Sequence, residues 1–176
     1  YTKQFIKKNK DTDILLLLGD IGCLYPSKIN ELNSFLEYVC KKFSTVLYIP
    51  GNHEYYKPFK QQGIDFNTLN NNLHDLSKIF KNLIILDRKS VMIDNFCIIG
   101  CTLWSNYKYK EFPKHGINRK LHKISTTDYR NMYKNDVKYI KKMIKYCKKK
   151  NKKLIVATHY PPTYKVKEGE NESDGE

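Results

Sequence analysis

The sequence of 176 residues contains no apolar run near the length of a membrane span. A transmembrane helix needs about 20 consecutive apolar residues, whereas the run from Ile14 to Leu18 ends at Gly19. The first residues also lack the apolar stretch and the small-residue cleavage site of a signal peptide. We therefore expect a globular chain without a membrane partner, and the 40% hydrophobic content supports a packed core.

Cysteine pairs with metal-binding spacing are also missing. The chain has five cysteines, an odd number, and none of them forms a CxxC pair. This pattern argues against a disulfide framework and a structural zinc site, and it favours a reducing, intracellular and cytoplasmic location. Cys97 and Cys101 lie in an apolar run, so we predict that they are buried as small hydrophobic side chains.

Arginine is scarce although the chain carries a net charge of +14. Arg88, Arg119 and Arg130 are the only arginines, so lysine supplies most of the charge. Lysine is a point charge without a bidentate fork, which favours general attraction to nucleic acid or another polyanion. The dense run at 141–153 has an alternative interpretation as a solvated helix end. The many Lys, Asn, Ile and Tyr residues also fit an AT-rich genome, such as that of a large DNA virus or a protist.

Apolar runs and helical stripes alternate along the chain. Residues 13–18 predict a buried strand, and 44–50 predict a second one. Between them, apolar residues at helical spacing predict a helix capped by Ser27, which completes a right-handed βαβ unit. A second helix is predicted over 66–80.

The second half continues with three short predicted strands, in NLIIL, SVMI and FCIIGCTLW. Asp94-Asn95 is predicted to make the tight turn between the last two. Thr126 or Thr127 is predicted to cap a further helix, and LIVATHYPP contains a final buried strand. Residues 105–124 are predicted to form a substrate-facing lid or an ordinary surface loop. We predict one layered α/β domain over residues 1–167 and an acidic, mobile segment over 168–176.

Residues that can bind a metal follow three of the predicted strands. Asp20 follows the first strand, Asn52 and His53 follow the second, and His159 follows the last. The carboxyl ends of parallel strands lie at one edge of a sheet, so these side chains are expected to meet. Their oxygen and nitrogen donors suit Mn, Fe, Zn, Ni or Co. Taken singly, each residue could instead be a cap, a turn residue or a loop histidine.

Three motifs in this order resemble the calcineurin-like metallophosphoesterases. They are GDIGC at 19–23, GNHE at 51–54 and THYPP at 158–162. GNHE after an apolar strand is a specific signature. The resemblance covers nearly the whole chain and is closest to the small, single-domain bacterial and viral-type members.

The resemblance implies an α/β sandwich of two mixed β-sheets flanked by helices in four layers, and two divalent metal ions. It implies that Asp20 bridges the ions and that Asn52 and His159 bind the second ion. His53 would be the general acid, with Glu54 orienting it. The implied reaction is hydrolysis of a phosphomonoester or phosphodiester substrate by a metal-bridging hydroxide.

Two motifs of that family are absent. Residues 1–19 contain no D-x-H, and no G-H-x-H follows His159; Cys23 replaces a further motif residue. We expect the chain to be a segment of a longer enzyme, incomplete at both ends and weak or inactive alone. The alternative is a degenerate relative, a basic structural or nucleic-acid-associated protein that retains the fold.

Overall fold

The structure is a computed structural model that describes residues 13–58, 60–106 and 124–163. Within these ranges the chain forms six strands and three α-helices, with one short 3₁₀ turn at His53–Tyr55. The predicted lid over 105–124 and the acidic segment 168–176 fall mostly or wholly outside the described residues. The elements are β1 (Ile14–Leu17), α1 (Ile29–Lys42), β2 (Thr45–Tyr48), α2 (Phe66–Ile79), β3 (Leu83–Ile85), β4 (Lys89–Ile93), β5 (Phe96–Cys101), α3 (Thr126–Lys149) and β6 (Lys153–Thr158).

The first sheet has the strand order β1-β2-β3 and is parallel throughout its described strands. Leu17 is in register with Tyr48, so β1 and β2 end side by side. α1 connects these two strands, which confirms the predicted βαβ unit. Its buried stripe of Leu32, Leu36 and Val39 packs into the core.

The second sheet has the order β4-β5-β6 and is mixed. β4 and β5 are antiparallel, and the paired residues Ile93 and Phe96 flank the turn that connects the two strands. The predicted turn at Asp94-Asn95 is confirmed, and Asp94 takes the positive φ of 52° that such two-residue turns require. β6 pairs with β5 in parallel.

Successive side chains of β5 point to opposite faces of the second sheet, and their contacts show how the sheets and helices are layered. Cys97 and Ile99 pack with Met143 of α3, while Ile98 packs with Leu47 of the first sheet. The four-layer arrangement of two sheets flanked by helices is therefore confirmed. Cys97 and Cys101 are buried as predicted. Burial raises the pKa of Cys97 to about 11 and that of Cys101 to about 12.

Two predicted helix caps are wrong. The N-cap of α1 is Lys28 rather than Ser27, and its side chain makes no capping hydrogen bond. The N-cap of α3 is Ser125 rather than Thr126 or Thr127. The Ser125 hydroxyl accepts from the Asp128 amide at 3.0 Å, and the Asp128 carboxylate accepts from the Ser125 amide at 3.2 Å. This reciprocal pair is a capping box, in which Asp replaces the usual Glu.

Candidate metal centre

The polar residues that follow β1, β2 and β6 meet at one place. His159 Nε2 lies 2.9 Å from Asn52 Oδ1 and 3.4 Å from Asp20 Oδ1. β6 belongs to the second sheet, so the site joins the strand ends of two sheets rather than one edge of a single sheet. The structure thus brings together the three residues predicted as metal ligands.

Two glycines allow this close approach. A Cβ atom on Gly19 would lie 2.6 Å from both Gly51 N and His159 Nδ1, and Gly19 has a φ of +86°. A Cβ atom on Gly51 would lie 2.6 Å from Asp20 N and 2.9 Å from His159 Cε1. Real Cβ atoms essentially never come closer than 3.0 Å to such atoms. Each glycine is therefore required where two strand ends and the His159 ring touch.

The Glu54 side chain forms hydrogen bonds to the backbone turns that carry the site residues. Its side chain is fully buried, so its carboxylate depends on protein donors. The two oxygens accept hydrogen bonds from Asp20 N (3.0 Å), Ile21 N (2.6 Å), Gly51 N (2.9 Å) and the Tyr48 hydroxyl (2.8 Å). One carboxylate thereby fixes the turns after β1 and β2 relative to each other.

The expectation that Glu54 orients His53 is wrong in its geometry. The Glu54 oxygens bond to backbone amides and Tyr48 rather than to the imidazole, because the 3₁₀ turn directs neighbouring side chains to different sides. His53 instead lies beside Asp20, with Nε2 3.8 Å from Asp20 Oδ2. Its own amide donates to Asp20 Oδ1 at 3.0 Å, and its ring packs against Tyr56. The His53 side chain is 53% exposed, so it can reach a bound substrate.

The hydrogen bonds of His159 and Asn52 define which atoms carry free lone pairs. His159 Nδ1 lies 2.8 Å from the Leu18 carbonyl, and a carbonyl oxygen accepts only, so Nδ1 carries the proton. The Asn52 amide nitrogen donates to the Tyr56 hydroxyl, which leaves Asn52 Oδ1 turned towards His159. In the neutral imidazole, Nε2 therefore presents a lone pair to the acceptor oxygens of Asn52 and Asp20.

These three acceptor atoms fit a single divalent cation. Donors about 2.1 Å from a shared ion, at angles of about 90–109°, are separated by about 3.0–3.4 Å. The observed separations from His159 Nε2 are 2.9 and 3.4 Å. A carboxylate oxygen, an amide oxygen and an imidazole nitrogen suit a borderline or hard ion. Three protein ligands with a remaining open position are also typical of a catalytic site rather than a structural one.

Comparison with known protein families matches residues 2–176 to the calcineurin-like phosphoesterases. The chain belongs to the calcineurin-like phosphoesterase family. This family implies metal-dependent hydrolysis of phosphoesters in general, and it confirms the resemblance seen in the three motifs.

Among curated proteins, this chain is similar to the uncharacterized protein L509 of Acanthamoeba polyphaga mimivirus. The two are 31% identical over 175 residues, which cover 91% of this chain and 59% of the relative. The chain thus spans well under two thirds of the relative's length. A mimivirus relative is compatible with the predicted large-virus source. No solved structure matches the chain.

The candidate metal centre has fewer ligands than a two-ion centre requires. Within residues 13–58, 60–106 and 124–163, no group of three or more His, Cys, Asp or Glu side chains is arranged to hold a metal ion. The candidate centre reaches three donors only through the amide oxygen of Asn52. The described residues therefore fit one ion, and they do not supply a ligand set for a second. None of the described helices is long and apolar enough to cross a bilayer.

Proposed function

We propose that this phosphoesterase hydrolyses a phosphomonoester or a phosphodiester at the centre formed by Asp20, Asn52 and His159. The observation that supports this most strongly is the meeting of three side-chain atoms that can all act as acceptors, with His159 Nε2 2.9 Å from Asn52 Oδ1 and 3.4 Å from Asp20 Oδ1. Such a cluster is repulsive unless a cation or an added proton lies at its centre. Membership of a metal-dependent family favours the cation.

Each residue would have a defined task. A divalent ion held by the three donors would polarise a phosphoryl oxygen and supply a nucleophile near neutral pH. His53, exposed and beside Asp20, would donate a proton to the leaving oxygen, a role for which imidazole is well suited. Glu54 is a positioning residue, because it fixes the backbone of Asp20 and Gly51 without reaching the reacting atoms.

Hydrolysis of p-nitrophenyl phosphate and bis-p-nitrophenyl phosphate, with Mn²⁺, Fe²⁺, Zn²⁺, Ni²⁺ or Co²⁺, tests the proposal. His53→Gln should lower kcat by about 10²- to 10⁴-fold while the bound metal stays constant, because His53 is not a ligand. His74→Gln is the matched control, since His74 lies near Asp87, outside the site.

A lack of hydrolysis of both esters with every metal would contradict the proposal. Equal loss of activity in His53→Gln and His74→Gln would contradict the assignment of His53 as the acid. Loss of bound metal in His53→Gln would show that it acts as a ligand instead.

A second candidate function is binding of a polyanion through α3. The helix carries a groove of about 620 Å³, and only lysines, Tyr133 and Val137 line it. The lysines are Lys134, Lys138, Lys141, Lys142 and Lys145. A basic protein without enzymatic function should bind nucleic acid with a steep salt dependence that Asn52→Ala leaves unchanged. Replacing Lys138, Lys141 and Lys145 together by Gln should reduce the slope of log K against log salt by up to about three.

A further inference from the structure

A large cleft opens directly beside the candidate metal centre. It has a volume of about 1190 Å³ and extends from Asp20 and His53 to the first turns of α1. Sites for small organic ligands typically measure about 300–1,000 Å³. The cleft is therefore large enough for the organic part of a substrate and not only for its phosphate group.

Part of the cleft lining is apolar. Leu32 and Tyr56 form part of it, and both are firmly anchored, with exposures of 1% and 6%. A Cβ atom on Gly22 would lie 2.9 Å from Leu32, so the backbone after Asp20 packs directly against the Leu32 side chain. Partly exposed side chains complete the apolar surface: Ile21, Phe35 and Pro58. The partly exposed portion of this surface includes the Phe35 ring and the branched side chain of Ile21, which suits a flat, apolar ligand group.

The other lining residues make the cleft basic. Three lysines line it against two carboxylates, Asp20 and Glu31. The ammonium group of Lys28 lies 2.6 Å from Glu31, so these two charges offset each other. Lys57 and Lys60, the other two lining lysines, lie on the segment that follows His53. Lysine acts on phosphate as a point charge, so these side chains suit an anionic group at some distance from the metal ligands.

We propose that the cleft binds a nucleotide-type phosphoester, with its base on the Ile21 and Phe35 surface and a second phosphate near Lys57 and Lys60. The placement of the scissile phosphate at Asp20 and His53 rests on the proposed function. The cleft offers an apolar surface and lysines. A nucleotide carries the two groups that suit them, an aromatic ring and more than one negative charge. A phosphorylated serine in a peptide has no ring for the apolar surface.

Calorimetric titration of the full chain with ADP, AMP, inorganic phosphate and a phosphoserine peptide tests this assignment. In EDTA, where no metal contributes, ADP should bind at least about tenfold more tightly than inorganic phosphate, as expected from stacking of one base. ADP should also bind more tightly than AMP, and Lys57→Ala should reduce that difference. Lys41→Ala is the control, because Lys41 lies on α1 outside the cleft and pairs with Glu37.

A second variant separates the cleft from the metal centre. Ser34 is exposed on α1 and lines the cleft, so Ser34→Trp should fill it. We expect ADP affinity to fall about tenfold or more while Mn²⁺ binding and inorganic phosphate binding stay unchanged. Glu37→Trp places the same side chain at an exposed position of α1 outside the cleft, and it should leave ADP binding intact.

Several results would overturn the assignment. These are undetectable ADP binding, equal affinity for ADP and inorganic phosphate, or unchanged ADP affinity in Ser34→Trp. Tighter binding of the phosphoserine peptide than of ADP would reassign the cleft to peptide substrates. ADP binding that depends on the cleft without hydrolysis of any ester would instead contradict the proposed function and leave the cleft assignment in place.

Discussion

Replacement of Glu54 by Gln should destabilise the domain strongly, although the two side chains have nearly the same size. The buried carboxylate is acceptor-only and receives hydrogen bonds from three backbone amides between 2.6 and 3.0 Å. A glutamine has one oxygen and one NH₂ group. Whichever way the amide is turned, its NH₂ group faces backbone N–H groups that then lack an acceptor.

The cost follows from the number of donors left unpaired. A buried polar group without a partner costs about 1–3 kcal/mol, and one or two amides lose their acceptor together with the charge assistance. We expect the free energy of unfolding to fall by about 2–6 kcal/mol, against a typical total of about 5–15 kcal/mol. The turns that carry Asp20 and Gly51 would loosen first, because Glu54 bonds to both.

Urea denaturation of the native chain and three variants measures this effect. Glu37→Gln is the matched control, since Glu37 is 57% exposed and pairs with Lys41, and it should cost less than about 0.5 kcal/mol. Tyr48→Phe removes a single hydrogen bond to Glu54 and should cost about 1 kcal/mol. A cost for Glu54→Gln below about 1 kcal/mol, or no greater than that of Tyr48→Phe, would refute the reasoning.

Three further predictions concern the strand ends, the helix cap and the buried thiols. Gly51→Ala should lower both stability and metal affinity, because the added Cβ would lie 2.6 Å from Asp20 N; denaturation and calorimetry with Mn²⁺ measure the two effects. Ser125→Ala should cost about 1 kcal/mol near neutral pH in urea denaturation. The Ser125 hydroxyl also lowers the pKa of Asp128, so the part of this stability that comes from the Asp128 carboxylate should be present above about pH 5 and should be lost as the pH falls through the folded-state pKa, below 3.8. The part that comes from the hydrogen bond between the Asp128 amide and the Ser125 hydroxyl should remain. Cys101, with its pKa raised to about 12, should react with Ellman's reagent at about pH 8 only after unfolding.

Each of these has a clear contrary result. Wild-type metal affinity in Gly51→Ala would show that the strand ends need not approach so closely. Equal effects of Ser125→Ala and Thr126→Ala would contradict the assignment of Ser125 as the cap. Rapid modification of the native Cys101 thiol would show that the end of β5 is accessible.

The sequence predicted the positions of Asp20 and Asn52 because each follows an apolar run at a glycine. A polar residue directly after an apolar strand lies at the end of that strand, so the local pattern alone placed Asp20 and Asn52 at neighbouring strand ends. For His159 the sequence reasoning was incomplete, because it assumed that all three strands belong to one sheet. Its strand belongs to the second sheet, and sheet membership depends on pairing between distant segments that periodicity does not reveal.

Other features depend on contacts that sequence spacing hides. Glu54 is next to His53 in the chain, yet its carboxylate accepts hydrogen bonds from the backbone amides of Ile21 and Asp20, which lie 33 and 34 residues earlier. Asp136 is fully buried on α3, where it pairs with Arg88 across 48 residues at 2.8 Å and accepts from the Trp104 amide at 3.2 Å. Serine is a somewhat better N-cap than threonine, and Ser125 also has Asp128 at the third position, which completes a capping box.

The stoichiometry of metal binding tests the central claim most directly. The full chain, equilibrated with Mn²⁺ or Zn²⁺ and separated from free ions, should retain about one equivalent by elemental analysis, because Asp20, Asn52 and His159 fit one ion. Asp20→Asn should lose most of this metal, whereas Asp75→Asn, at an exposed ion pair with Lys78, should retain it. The absence of bound metal in the native chain, or equal retention by both variants, would contradict a metal centre at these residues.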